Sequence, residues 1–118
     1  MSGPFSVQPS LAALPDGLLA LSGGRPGLAL WLNPDGLGLD WQMLDILAHH
    51  NACQPAESIA YSEEMTQQHT SAYTEVVAVD DQHFLYLYDR APNGWKPIPE
   101  TMNDTNSVWL VRVTVEKA

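Results

Sequence analysis

Residues 24–41 read GRPGLALWLNPDGLGLDW. The apolar run from Leu28 to Asn33 predicts a β-strand, and Arg25 precedes that strand between two glycines. A turn rich in aspartate and glycine follows the strand and ends at a tryptophan. The stretch places one arginine directly before a strand and a tight turn. The strand and turn indicate an all-β chain built from antiparallel hairpins.

The turn after this strand has residues suited to a rigid hairpin end. Asp35 can accept hydrogen bonds from backbone N–H groups of its own turn, and Gly36 and Gly38 can adopt positive φ. Trp41 offers a large apolar ring that can cap the hairpin. We expect these residues to be structural rather than reactive. Asp35, Asp40 and Asp45 are spaced by five and lack the alternating ligands of a calcium loop.

Two further hairpins are predicted about 65 residues apart. Leu11 to Leu14 and Leu18 to Leu21 flank the turn sequence Pro15-Asp16-Gly17, while Val76 to Val79 and Phe84 to Tyr88 flank a second polar turn. Aligning the two hairpins shows a weak ordered repeat. It matches Leu14, Leu19 and Leu21 with Val79, Phe84 and Tyr86, Arg25 with Arg90, and residues 27–32 with residues 107–112.

A repeating unit of three or four strands is typical of a propeller blade. We interpret residues 10–50 as a first unit, with Gln42 to Leu47 as its fourth strand, and residues 71–116 as a second, partial unit. Residues 51–70 are predicted to be a connecting loop, and the proline-rich segment 91–106 a second loop. The whole chain, residues 1–118, is treated as one domain.

Composition excludes several classes of function. The chain has 118 residues, a net charge of −9 and only five lysines and arginines, so binding to a nucleic-acid backbone is not expected. The single cysteine, Cys53, cannot form an intrachain disulfide. We expect no membrane span and see no signal peptide at the N-terminus, and the sequence leaves the compartment open.

Several motifs together resemble the sialidase family of β-propellers. Residues 33–41 are similar to its Asp-box hairpin, Ser-x-Asp-x-Gly-x-Thr-Trp, with Asn33 in place of the serine and one additional residue before the tryptophan. Tyr73-Thr74 and Tyr88-Asp89 resemble the family's strand start and its later Tyr-Glu pair. Arg25 precedes the Asp-box strand, where the family carries an arginine. The resemblance extends from about residue 10 to residue 116.

The resemblance implies about two blades of a six-bladed propeller and a site for an acidic sugar. By position, Arg25 corresponds to a carboxylate-binding arginine and Tyr73 to the catalytic nucleophile. Arg90, which the repeat matches to Arg25, is a further candidate for substrate binding. The family's other arginines, its catalytic aspartate and its glutamate have no match here, and Glu75 follows Tyr73 on the same strand face without being shown to replace that glutamate. We therefore expect a glycan-recognising segment that is catalytically incomplete as one chain.

Each of these residues also has a plainer interpretation. Arg25 can be a structural arginine that ties two sheets together, and Tyr73 an amphipathic strand residue with a hydrated hydroxyl. Trp31 and Trp109 are predicted to lie in the core, whereas Trp95, in the proline-rich loop, is a candidate for contact with a sugar. The alternatives to a sialidase-related segment are a non-catalytic, lectin-like module and a purely structural propeller fragment.

A metal or thiol site is the other chemistry to weigh. His49, His50 and Cys53 are residue types that bind zinc, and a thiol next to histidine can be nucleophilic. Adjacent histidines on an extended chain point in opposite directions, and no third orienting group is identifiable. We expect no metal and no cofactor.

Two blades leave open sheet edges, because closed propellers have roughly 4 to 8 blades. Either the chain is part of a longer propeller, or copies of it assemble. Three copies would supply six blades through head-to-tail contacts, so a homotrimer is one hypothesis.

Overall fold

The structure, a computed structural model, describes residues 7–25, 27–61 and 68–116. Within these ranges the chain forms two antiparallel sheets and one α-helix. Sheet A contains β1 (Val7–Ala13), β2 (Leu19–Gly24), β3 (Leu28–Asn33) and β4 (Gln42–Asp45). The helix α1 (Ile46–Cys53) and a 3-10 turn (Pro55–Glu57) follow. Sheet B contains β5 (Glu75–Ala78), β6 (His83–Arg90) and β7 (Ser107–Thr114).

The mostly-β, antiparallel architecture is confirmed, and both sheets keep the order of the chain. The turn between β1 and β2 closes as its sequence predicts: the N–H of Gly17 donates to the carbonyl of Leu14 at 2.9 Å, and the N–H of Leu18 donates to the Asp16 carboxylate at 3.2 Å. The turn between β5 and β6 closes through the N–H of Val79 and the carbonyl of His83 at 2.9 Å. No helix among the described ranges is long and apolar enough to cross a membrane.

The chain departs from the predicted fourth strand at Ile46. Strand β4 ends at Asp45, whose carboxylate accepts a hydrogen bond from the N–H of Ala48 at 2.9 Å. This is an N-cap contact, which satisfies a backbone donor at the start of a helix. Helix α1 therefore occupies the end of the predicted strand and the beginning of the predicted connecting loop 51–70, of which residues 62–67 lie outside the described residues.

The two sheets pack against each other around a single apolar core. Ala20 and Ser22 of β2 are fully buried, and so are Phe84 and Tyr86 of β6. Small side chains on one sheet thus leave room for large aromatic ones on the other. The sequence repeat had matched Phe84 and Tyr86 with residues 19 and 21, so burial is displaced by one residue from that alignment.

The edge strands β1 and β5 meet where the sheets join. Ser10 donates a hydrogen bond to the carboxylate of Glu75 at 2.8 Å, and its hydroxyl accepts one from the N–H of Val76 at 3.4 Å. Deeper in the core, Thr74 donates to the hydroxyl of Ser22 at 3.0 Å. These contacts fix the start of β5 against sheet A.

Helix α1 attaches to sheet B through a buried histidine. His50 Nε2 lies 2.8 Å from the carbonyl of Glu57, which can only accept, so this nitrogen carries a hydrogen. His50 Nδ1 lies 2.7 Å from the hydroxyl of Tyr88. Burial, together with nearby Cys53, raises the pKa of Tyr88 to about 12, so its hydroxyl stays protonated and donates to the histidine. Trp109 packs edge-on to the same imidazole and, partly buried, lies against the core in which it was predicted.

The outer face of sheet A carries an apolar row that crosses all four strands. Leu11, Leu21, Trp31 and Met43 are successive partners in the ladder. Leu11 is 62% exposed and Met43 56% exposed, while the two central residues are half-buried. Trp31 therefore belongs to this outer row and not to the core between the sheets, because residues on alternate positions of a strand face opposite sides.

Candidate functional site

Arg25, Tyr73 and Trp95 come from three separate parts of the sequence and meet in the folded chain. The guanidinium carbon of Arg25 lies 4.7 Å from the centre of the Trp95 ring and 5.8 Å from the centre of the Tyr73 ring. Both distances are within the range of a cation–π contact. Three residues singled out from sequence as functional candidates thus form one cluster, which we call the Arg25 site.

A close approach of two backbones brings these residues together. Strand β2 ends at Gly24, and an added Cβ at this position would overlap the carbonyl oxygen of Ala72 and lie 2.6 Å from its Cβ. Only glycine permits this approach. Arg25 follows Gly24 and Tyr73 follows Ala72, so the contact places the arginine of one sheet beside the tyrosine that leads into the other.

Both sides of this contact have a left-handed backbone. Arg25 has a φ of 58° and Ala72 a φ of 63°, a conformation that costs side chains other than glycine on the order of 1 kcal/mol or more. Ala72 is fully buried, and its N–H donates to the hydroxyl of Thr70 at 3.1 Å. The surrounding packing and hydrogen bonds therefore hold the site in a strained geometry.

The segment that leads to Tyr73 is held by Asp89 of β6. The carboxylate of Asp89 accepts from the Thr70 hydroxyl at 2.6 Å and from the N–H of Ser71 at 2.8 Å. The indole N–H of Trp95 donates to the carbonyl of Thr70 at 3.2 Å, which fixes the ring that Arg25 contacts. Asp89 is thus a positioning residue for the site, a role that sequence reasoning did not assign.

The guanidinium of Arg25 is left with open donors. Among the described residues it makes one hydrogen bond, from Nη2 to the carbonyl of Ser71 at 3.3 Å, and its Nε is buried without a partner. It forms no ion pair there, although the chain has 14 acidic residues against five lysines and arginines. A guanidinium is always charged and has five N–H donors, so this one is suited to an anionic group from outside the chain.

Arg90, the other candidate arginine, has two of its three guanidinium nitrogens hydrogen-bonded within the described structure. Its side chain is 8% exposed, its Nε donates to the carbonyl of Ser58 at 3.2 Å, and its Nη1 donates to both carboxylate oxygens of Asp104 at 3.1 and 3.0 Å. The N–H of Thr105 and then Arg90 hold the pKa of Asp104 below its usual value. Arg90 therefore ties the loop after β6 to the segment after helix α1, and its role in substrate binding stays a prediction.

Tyr73 is accessible, being 50% exposed, and its N–H donates to the hydroxyl of Ser71 at 3.2 Å. The carboxylate of Glu75 accepts from Ser10 at the junction of the two sheets. No contact between Glu75 and the Tyr73 hydroxyl is found in the described structure. The geometry therefore supplies an accessible phenol beside a guanidinium, and no base from the described part of the chain contacts that phenol.

The turn after β3 has the predicted geometry. Gly36 and Gly38 have φ of 71° and 76°, the N–H of Leu37 donates to Asp35 at 2.9 Å, and the indole of Trp41 donates to the carbonyl of Gly38 at 3.0 Å. The fully buried Asn33 adds the central contacts, which sequence reasoning missed. Its amide donates to the carbonyl of Asp40 at 2.7 Å and accepts from the N–H of Gly38 at 2.9 Å.

The residues considered for a metal or thiol site are divided by helix α1. His49 and Cys53 lie one turn apart on its exposed side, with the sulfur 3.8 Å from His49 Nε2, whereas His50 is buried against Tyr88. Among the described residues, no group of three or more metal-binding side chains is placed to hold an ion.

Two positions essential to the Arg25 site, Gly24 and Ala72, carry no signal that sequence reasoning used. A glycine directly before a candidate arginine was visible, but its partner 48 residues later was not.

Comparison with protein-family models, with curated proteins and with solved structures finds no match for this chain.

Proposed function

We propose that this chain is a sialidase-related, glycan-recognising segment that binds the carboxylate of an acidic sugar at Arg25. The observation that carries the proposal is the environment of the Arg25 guanidinium. The guanidinium lies beside two aromatic rings and has a buried Nε with no partner among the described residues, in a chain of net charge −9. Arg90, in contrast, pairs with the carboxylate of Asp104.

An acidic sugar suits this surrounding better than other anions do. The planar fork of a guanidinium pairs with a carboxylate through two parallel hydrogen bonds. The exposed rings of Tyr73 and Trp95 offer apolar faces for the C–H surface of a pyranose, and the phenol offers a hydroxyl for its polar groups. The resemblance to sialidases, in which an arginine and a tyrosine occupy matching positions, agrees with this ligand class.

We propose that one chain binds such a sugar without hydrolysing it. The resemblance assigns the nucleophile to Tyr73, which needs a carboxylate to accept its proton. The carboxylate of Glu75 instead accepts a hydrogen bond from Ser10. The remaining catalytic residues of the family have no match in this sequence. The lectin-like alternative is therefore favoured for the isolated chain over a complete hydrolase, and a purely structural fragment is the third possibility.

The test is a pair of assays on the purified chain. We expect saturable binding of sialyllactose in a calorimetric titration, with lactose as the neutral control, and no release of fluorophore from a fluorogenic sialoside. Turnover of the fluorogenic substrate would contradict the non-catalytic assignment and support a complete hydrolase. Absence of both binding and turnover would contradict the proposal and favour the structural fragment.

We further propose that the two sheets are propeller-type blades and that three chains close a six-bladed ring. The support is apolar surface on both outer faces. Sheet A has the row that ends at Leu11 and Met43, and sheet B exposes Val108 by 75% and Leu110 by 54% on β7. We expect light scattering to give a mass near that of three chains. A monomer at micromolar concentration would contradict the ring.

A further inference from the structure

Strand β7 (Ser107–Thr114) forms a free edge of sheet B. The sheet has the order β5-β6-β7, so β7 pairs with β6 on one side and with no strand on the other. The other edges of the two sheets differ from it, because β1 and β5 lie against each other through Ser10 and Glu75, and β4 (Gln42–Asp45) has only 4 residues. Among the described strands, β7 is therefore the edge strand that is both long and uncovered.

The register of β6 and β7 shows which backbone groups point outward. The N–H of Val115 donates to the carbonyl of Gln82 at 2.7 Å, and the same antiparallel register continues along the whole of β7. Hydrogen-bonded positions alternate in an antiparallel pair, so the odd-numbered residues of β7 bond to β6. The N–H and carbonyl groups of Val108, Leu110 and Arg112 therefore point away from the sheet. No turn or loop hydrogen bond in the described part of the chain uses them.

Strand β7 lacks the features by which natural edge strands avoid pairing with another chain. Such strands are short, bulged or covered, or they contain proline or lysine. Strand β7 has 8 residues, pairs with β6 without a bulge, and contains no proline, glycine or lysine. Val108 and Leu110, at two of the outward positions, are exposed apolar side chains. This edge is therefore suited to accept a further strand.

The sequence of β7 makes the strand complementary to a second copy of itself. Although the chain has a net charge of −9, β7 contains no carboxylate and one charged residue, Arg112. Antiparallel pairing about a two-fold axis at Leu110 places Leu110 opposite its own copy and Val108 opposite Arg112 of the second copy. The two arginines then lie roughly 14 Å apart along the strands. A register centred on Arg112 would instead place like charges directly opposite each other, which is destabilising.

We propose that two copies of this chain associate through antiparallel β7 strands centred on Leu110, so that their B sheets join into one continuous sheet. Val108, Leu110 and Arg112 form the facing pairs, and each pair exchanges two backbone hydrogen bonds. The proposed ring joins chains through the faces of their sheets and leaves this edge free. The pairing is therefore independent of the ring and of glycan binding.

The first test is disulfide cross-linking with oxidised glutathione, in a Cys53→Ser background that removes the only cysteine of the chain. We expect Leu110→Cys to form a covalent dimer. Facing Cα atoms in a hydrogen-bonded antiparallel pair lie about 5.5 Å apart, which a disulfide can span. The matched control is Val108→Cys, which lies roughly 14 Å along the strands from its own counterpart and should give at least about tenfold less dimer.

The second test needs no substitution and measures residue-resolved amide hydrogen exchange of the wild-type chain. We expect the amides of Leu110 and Arg112 to exchange at least about tenfold more slowly at millimolar than at micromolar concentration, because association gives them hydrogen-bond partners. The amides of Trp109 and Val111 are the internal control. They already bond to β6 and should change little.

The outcomes decide the pairing and its register. Cross-linking of Val108→Cys to the same extent as Leu110→Cys would overturn the register centred on Leu110. Exchange of the Leu110 and Arg112 amides that does not depend on concentration would overturn the pairing itself, whatever the cysteine variants do. Neither readout uses a glycan, so failure here leaves the proposed function standing, and failure of the chain to bind sialyllactose leaves this inference standing.

Discussion

Replacing Arg25 with glutamine is expected to weaken the binding of sialyllactose by on the order of a hundredfold. The variant removes a charged donor pair, and each hydrogen bond to a charged group contributes roughly 1.5–3 kcal/mol. Arg25→Lys should fall between wild type and Arg25→Gln, because an ammonium keeps the charge but loses the planar fork. Calorimetric titration measures all three affinities.

The control for this prediction is Arg112→Gln. Arg112 lies exposed on β7, and its replacement changes the net charge by the same amount. We expect this variant to bind as wild type does. An equal loss of affinity in Arg112→Gln would show that overall charge, rather than the clamped guanidinium, attracts the ligand.

Replacing Gly24 with alanine is expected to lower the stability of the chain and its affinity together. The new Cβ would overlap the backbone carbonyl of Ala72. Because the overlapping atom belongs to the backbone, the two backbone segments must move apart, and rotation of a side chain cannot relieve the overlap. Overpacking of this kind costs roughly 1–3 kcal/mol, which lowers the midpoint of thermal unfolding by about 10 °C in a domain of this size. The same displacement moves Arg25 away from Tyr73. Thermal unfolding followed by circular dichroism and a sialyllactose titration measure the two effects.

Gly38→Ala is the matched control. Gly38 has a φ of 76° and no neighbouring atom within 4 Å of an added Cβ, so alanine there meets backbone strain without a collision. We expect a loss of about 1 kcal/mol and unchanged affinity, since no hydrogen bond or ring contact among the described residues joins this turn to Arg25, Tyr73 or Trp95. A Gly24→Ala variant with the wild-type midpoint of thermal unfolding and the wild-type affinity for sialyllactose would contradict the close approach of Gly24 and Ala72.

The fold could be predicted from sequence where the signal was local. The Asp35 turn and the Pro15-Asp16-Gly17 hairpin form as expected, because turn residues bond to backbone groups a few positions away. Helix α1 was missed because Leu44, Ile46 and Leu47 fit a strand nearly as well as a helix. The Asp45 cap decides the outcome. The burial register of β2 was misaligned because the core here is lined by Ala20 and Ser22, which a search for large apolar residues passes over.

The candidate site was predicted in its members but not in its assembly. Arg25, Tyr73 and Trp95 were each selected for chemistry and position, and the resemblance to sialidases supported two of them. Their contact depends on Gly24 meeting Ala72 and on Asp89 holding Thr70, which join residues far apart in the chain. No periodicity or motif encodes such pairings, so only the folded chain reveals them.

The left-handed backbone at Arg25 sets the stability of the chain against the proposed recognition of a ligand at one position. With a φ of 58°, this position best accommodates glycine, followed by asparagine, and neither can hold a carboxylate through a guanidinium fork. Glycine at this position would relieve the backbone strain and raise the stability of the chain. Under the proposed function, the arginine is therefore a trade-off, in which backbone strain is retained to place a guanidinium beside Tyr73 and Trp95.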